Sequence, residues 1–202
     1  MNDTKIVGRP RKFDKDEALL AAVNVFWEKG YDGASMKDLT EGMGINSPSL
    51  YSAFGDKHNL YLQAIDRYIS NDACAPMIAF ETEPDIRKAV GSFFKESIEY
   101  ATEQGGSRVG CFLSSCVSTS AGEVEGVQEL LKRSIEETDT RLAKRFEQAK
   151  AEGVLREDFP SLERARLMFD LRQGFILRAR AGLSCDVIKA ASEHYADIVL
   201  RD

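Results

Sequence analysis

Residues 35–57, SMKDLTEGMGINSPSLYSAFGDK, restrict the fold of this chain more than any other stretch. Ser35 is placed to cap a helix on which Met36, Leu39, Thr40 and Met43 recur at three- and four-residue spacing. Gly44 follows, free to take the left-handed backbone that ends a helix, and Ile45 gives the turn an apolar plug. Ser47-Pro48 then restarts the chain, with a hydroxyl to cap and a proline suited to the first helical position. Leu50 and Phe54 lie one turn apart, so the second helix is brief and buries a single side. Gly55-Asp56 stops it and caps the next. Two short helices joined in this way make a helix-turn-helix, whose second helix usually enters the major groove of DNA.

The periodicity stays helical on either side. Ala18, Leu19, Ala22, Val23, Phe26 and Trp27 give a stripe over 14–29, stopped by Gly30, and this helix braces the other two. A helix opening at Asp56 carries Leu60, Tyr61, Ala64, Ile65 and Tyr68 and reads as continuous to residue 73. Residues 71–84, with Pro76 and Pro84, break the pattern. Further helical stripes cover 86–101, 111–119, 127–149, 162–179 under a Ser161 cap, and 187–199 under a Ser184 cap. No strand pattern and no repeat is visible. The expectation is an all-α protein of about nine helices. A basic arm spans 1–12, a three-helix helix-turn-helix domain 13–57 and a larger helical body 58–202, with the 56–73 helix linking the two.

With 202 residues the chain can bury a proper core, and 43% apolar with 30% charged residues describes an ordinary water-soluble protein. A net charge of −6 argues against a general nucleic-acid coat, yet a local basic footprint suffices for DNA. Arg9, Arg11 and Lys12 supply one, in an arm able to follow a minor groove or phosphate backbone. No apolar run approaches the roughly 20 residues of a membrane span. The basic N-terminus lacks an apolar signal region, so the four cysteines are expected as reduced thiols in the cytoplasm.

The segments FWEKGYDGASMKDL and GMGINSPSLYSAFGDKHNLY resemble the TetR family of bacterial transcriptional repressors. The order Gly30-Tyr31, Ser35, Leu39, Gly44-Ile45, Leu50-Tyr51, Phe54, Lys57 and Leu60 carries the resemblance, which covers roughly residues 10–65. It implies that Ser47, Pro48 and Ser49 sit near base edges while Tyr51 and Lys57 meet phosphates. Ser35 and Ser52 complete the candidate DNA-contacting set. Ser52 and Ala53 are smaller than many family members carry there, so readout leans on the arm, DNA shape and dimer spacing. The resemblance further implies a homodimer formed through the last two helices, released from a pseudo-palindromic operator by a small-molecule effector.

Candidates for contacting that effector are Phe93, Phe112, Phe169, Asp170, Gln173 and Cys116, between the long helices. An alternative is a sensor of oxidants or electrophiles acting through Cys111 or Cys116. The Gly-Cys at 110–111, followed by apolar residues, resembles a subgroup whose members can respond to electrophiles. Five positions apart, the two thiols lie about 140° around a regular helix and cannot bridge within it. Arg108 is the only cation near them in sequence. A cysteine-dependent enzyme is a weaker alternative, because neither of the two histidines falls in a nucleophile–base signature, and His194 reads as a surface residue. No enzyme activity, cofactor or metal is expected. A regulator controlled by a protein partner is a third reading, which a closed, fully packed body would favour.

Overall fold

Backbone N–H groups left free at a helix start need an acceptor, and in the first third of the chain each start has one. Asp14 accepts from the N–H groups of Asp16 at 2.7 Å and Glu17 at 3.1 Å, opening α1 (Lys15–Gly33). The helix breaks at Gly30 (φ 74°, ψ 172°), the stop expected from sequence, before a last turn reaches Gly33. Ser35 opens α2 (Met36–Met43) in a reciprocal capping box with Asp38. Gly44 ends α2 with φ 64°. The cap of α3 (Ser47–Phe54) is Asn46, whose side chain accepts from Ser49 N–H at 2.9 Å. It falls one residue before the expected Ser47, because an amide oxygen caps as well as a hydroxyl and Pro48 suits the first turn either way. Asp56 caps α4 (Lys57–Ile69).

This structure, a computed structural model, describes residues 13–70, 74–103 and 110–201. Beyond α4 come α5 (Ala75–Thr82), α6 (Ile86–Glu103), a π-helical segment (Leu113–Val117) and the short α7 (Ser118–Ser120) that continues it. Then follow α8 (Val127–Ala151), α9 (Ser161–Arg180), α10 (Cys185–Ser192) and α11 (Tyr195–Leu200). Among the described residues every regular element is helical, and no helix is long and apolar enough to cross a membrane.

Four expectations need correction. The linking helix ends at Ile69 rather than residue 73, and 71–73 lie outside the described residues. The supposed break over 71–84 contains α5, because Pro76 stands in a first turn, where a missing N–H costs nothing. Ser161 does not cap α9; Pro160 occupies the cap position without a side-chain bond. The final stripe is divided at Glu193 and His194 into α10 and α11.

The apolar side chains gather into two clusters. One joins α1, α2 and α3 to Leu60, Tyr61, Ala64 and Ile65 of α4, and is completed by Phe112, Cys116, Val117 and Val127. Leu39, Leu50 and Leu60 are fully buried there, each burial stabilising by about 1.5–3 kcal/mol. The other lies between α5, α6, α8, α9, α10 and α11, around Phe80, Phe93, Phe146 and Phe175. Segment 110–120 is divided between the two: Phe112, Cys116 and Val117 join the first cluster, Cys111 the second, and Leu113 packs against both.

Candidate functional site

Leu50 and Phe54 turn inward from α3, which leaves Ser47, Pro48, Tyr51 and Ser52 exposed and Ser49 partly covered. Tyr51 keeps 52% of its surface open, an unusual exposure for a large ring without a packing role. No charged side chain occurs on α3, so no carboxylate of its own opposes a phosphate.

Lys57, in the first turn of α4, does not project freely. Its ammonium lies 4.7 Å from the Tyr31 ring centroid and 3.4 Å from the Asp32 carbonyl oxygen, folding it onto the end of α1. Burial, then the carboxylates of Asp32 and Asp56, raise the Tyr31 phenol above its ordinary value, so that ring stays neutral. Ser35 is exposed, but its hydroxyl is engaged with Asp38. Asp38 also pairs with Lys29; Lys29 and then Ser35 hold its carboxyl well below the usual carboxylate range. Arg9, Arg11 and Lys12 lie outside the described residues.

A cavity of about 430 Å³ opens between α4, α5, α6, α8 and α9, with the π-helical segment as one wall. Its apolar side includes Ile69, Met77, Phe93, Leu131 and Phe169. On its polar side the Tyr68 hydroxyl lies 3.4 Å from the Tyr100 hydroxyl and 3.5 Å from Cys111 Sγ. Nearby, the Ser114 hydroxyl donates to the side-chain oxygen of Gln173. Phe93, Phe169 and Gln173 thus stand on the cavity wall, as does Cys111.

Phe112, Cys116 and Asp170 do not line it. Phe112 is fully buried against Trp27, Tyr61 and Tyr68 at ring-centroid separations of 5.9, 6.4 and 5.3 Å. Cys116 donates to the Phe26 carbonyl at 3.2 Å and lies 3.5 Å from the Tyr61 hydroxyl. Asp170 is exposed on α9. The reason is geometric: the segment from residue 110 to 120 has one side against the cavity and the other against α1 and α4. Residue spacing alone does not say which side is which.

Sequence reading also missed Arg172, which lines the cavity beside Cys111. Burial pushes the Cys111 thiol up, but Arg172, Tyr68 and the N–H groups of Ser114 and Leu113 outweigh it and bring it below its ordinary value. Burial instead pushes the Cys116 thiol up, beyond what Tyr61 and Arg180 offset. Arg108 lies outside the described residues. A signal for Arg172 was present: it sits one turn beyond Met168 and three residues before Phe175, a charge on the apolar stripe of α9.

Residues 18–64, running from α1 into α4, match the pattern of the bacterial regulatory proteins of the tetR family. A cysteine-substituted variant of the TetR family transcriptional regulator CifR, complexed with 26 bp double-strand operator DNA, has the same architecture with a TM-score of 0.81. Sequence identity to it is 30%, over 96% of this chain and 98% of CifR. The chain belongs to the TetR family. Two regulators of Escherichia coli (strain K12) are also similar along most of their length. The transcriptional repressor ComR is 28% identical over 89% of this chain and 85% of its own, and the repressor BdcR 26% identical over 94% and 96%. Within this TetR-family regulator the matched pattern ends at residue 64, before Tyr68 and Ile69 reach the cavity. The helix-turn-helix falls inside the pattern; the cavity lies beyond it.

Proposed function

We propose that this chain is a ligand-responsive repressor that binds a pseudo-palindromic operator as a homodimer and is released when a small molecule fills the cavity. The observation that carries the reading is the shared wall at residues 110–120. Cys111, Leu113 and Ser114 face the cavity, while Phe112, Cys116 and Val117 complete the core under the helix-turn-helix. An occupant that displaces this wall repacks the base of the DNA-reading head. It shifts operator occupancy only by its difference in affinity for the two arrangements.

Residues 13–57 form the reading head of this proposal and 58–202 the sensing and dimerising body, with the 1–12 arm contributing Arg9, Arg11 and Lys12. Ser47, Pro48, Ser49 and Ser52 meet base edges; Tyr51, Lys57 and the α2 start at Ser35 meet the backbone. Serine hydroxyls discriminate weakly between bases, so one head alone would bind poorly. Two tethered heads multiply affinity through effective concentration. The surface offered for pairing includes exposed apolar residues: Leu162 and Leu177 on α9, Val187 on α10 and Ile198 on α11. The CifR complex with operator DNA supports the same mode of action here. The test is footprinting on the DNA flanking the coding region, with and without candidate ligands. A protected two-fold site that opens on ligand addition is expected, and no protection at any ligand concentration ends the proposal.

A second reading is favoured by the Cys111–Arg172 neighbourhood, since a thiol lowered by a cation reacts more readily as thiolate. Here modification of Cys111 by an electrophile releases the operator; Cys116, buried against the Phe26 carbonyl with its thiol raised, is the less favoured site. Alkylating the protein with iodoacetamide distinguishes it: unchanged operator affinity after complete Cys111 labelling removes the reading. Neither reading assigns the chain a catalytic role.

A further inference from the structure

Arg172 brings a guanidinium to the cavity wall, where its side-chain hydrogen bond is to Cys111 and the described lining supplies no carboxylate. Arginine stays protonated in proteins, and a guanidinium withdrawn from water costs several kcal/mol unless it is paired. Among the described residues no carboxylate forms an ion pair with Arg172, and none of the described lining residues is Asp or Glu. Its neighbours are the thiols of Cys111 and Cys74 and the phenol of Tyr68. Burial raises both the Cys74 thiol and the Tyr68 phenol, which keeps them neutral. The second arginine on the wall, Arg141, is already engaged by Glu81. Arg172 is therefore a fork of N–H donors on the wall of a cavity whose other polar groups, Tyr68, Tyr100, Ser114 and Gln173 among them, are uncharged apart from the already paired Arg141.

We propose that the cavity takes an amphipathic monocarboxylate, its carboxylate paired with Arg172 and its hydrocarbon part against Ile69, Met77, Phe93 and Phe169. The proposal rests on the effector reading above and names the chemical class of the ligand. A guanidinium matches a carboxylate through two parallel hydrogen bonds. One such group without a carboxylate partner suits a monoanion better than a phosphate, which carries more charge. At about 30 Å³ per non-hydrogen atom, borrowed from the volume share of water, the space admits roughly fourteen such atoms. That accommodates a carboxylate on a medium-length chain or on a single ring with a short linker.

The experiment is calorimetric titration of the full chain with octanoate and with 4-phenylbutanoate, each compared with its own primary amide, alongside footprinting of the operator. At least one acid is expected to bind ten-fold or more tightly than its amide. Arg172→Gln should lose that preference while still binding the amide, and Arg172→Lys should recover part of it. Thermal melting of both variants checks that they fold. Cys111→Ser should keep the preference, which separates anion recognition from thiol chemistry. Acid and amide binding alike, or a preference that survives Arg172→Gln, overturns the proposal and leaves the effector reading standing. If no acid or amide binds while the operator is protected, both the anion and this cavity as effector site are wrong. If protection itself is missing, the repressor reading falls, and the calorimetry still decides whether the cavity selects anions.

Discussion

Among single side chains, Gly42 marks the tightest approach in the reading head. A Cβ built there would lie 2.4 Å from Val25 Cγ2, closer than real contacts allow, so any side chain at this position forces Val25 to shift between α1 and α2. Gly42→Ala should destabilise the fold by about 1–3 kcal/mol, the usual cost of overpacking. Adding Val25→Ala should recover part of the loss, and melting the two single variants with the double variant measures the coupling. Tyr51→Phe and Lys57→Ala test the operator reading at the same scale. Each should weaken binding across unrelated sequences, and Lys57→Ala should lower the salt slope by about one. Titrations at several salt concentrations check this, and an unchanged slope removes Lys57 from the phosphate-contacting set. Most of α3 was legible in the sequence, since Leu50, Phe54 and Gly55 leave only one face outward. Arg172 showed there only as a charge on an apolar stripe, because what makes it informative is Cys111, far along the chain and joined to it only by packing.

For the helices, caps explain why some boundaries could be read and others could not. Asp14, Ser35, Asp56 and Ser184 bond N–H groups a few residues away, so local sequence announces them. Helix α5 lacks any side-chain cap bond, and its proline reads equally as a start or a break until packing decides. The capping box of α2 also predicts a pH response. The folded-state carboxyl of Asp38 titrates below an unfolded carboxylate, through its bonds to Lys29 and Ser35. Its stabilising contribution is therefore present above about pH 4, the unfolded value, and is lost as pH falls toward the folded one. Asp38→Asn should flatten the acid limb of a plot of melting temperature against pH and leave the neutral region sloped as before. A second element-level test concerns the wall. The Tyr61 hydroxyl and Ser120 Oγ share a hydrogen bond of 2.9 Å within the buried joint, and Tyr61→Phe removes that bond from between α4 and α7. The variant should lose about 1 kcal/mol of stability and respond to ligand at a changed concentration, read from the footprint.

On the scale of the whole molecule, the two apolar clusters make the head and body one continuous packing problem, while the outer face of α9 to α11 is the surface proposed for pairing with a second copy. Leu177, with 70% of its surface exposed, is the most open large apolar residue on that face. Leu177→Glu should convert the dimer to monomer in sedimentation experiments and reduce operator affinity by more than ten-fold, with melting nearly unchanged. A variant that stays dimeric puts the pairing surface elsewhere. Helix α4 gives this arrangement a mechanical consequence. Its thirteen residues span about 20 Å at 1.5 Å per residue, with Tyr68 and Ile69 at the cavity and Lys57 at the other end. Such a strut acts as a lever: pivoting it by about 5° at the cavity carries Lys57 nearly 2 Å. A hydrogen bond survives only a few tenths of an ångström of stretch. In the proposed repressor, a ligand contact too slight to notice at one end would thus be enough to break register with the duplex at the other.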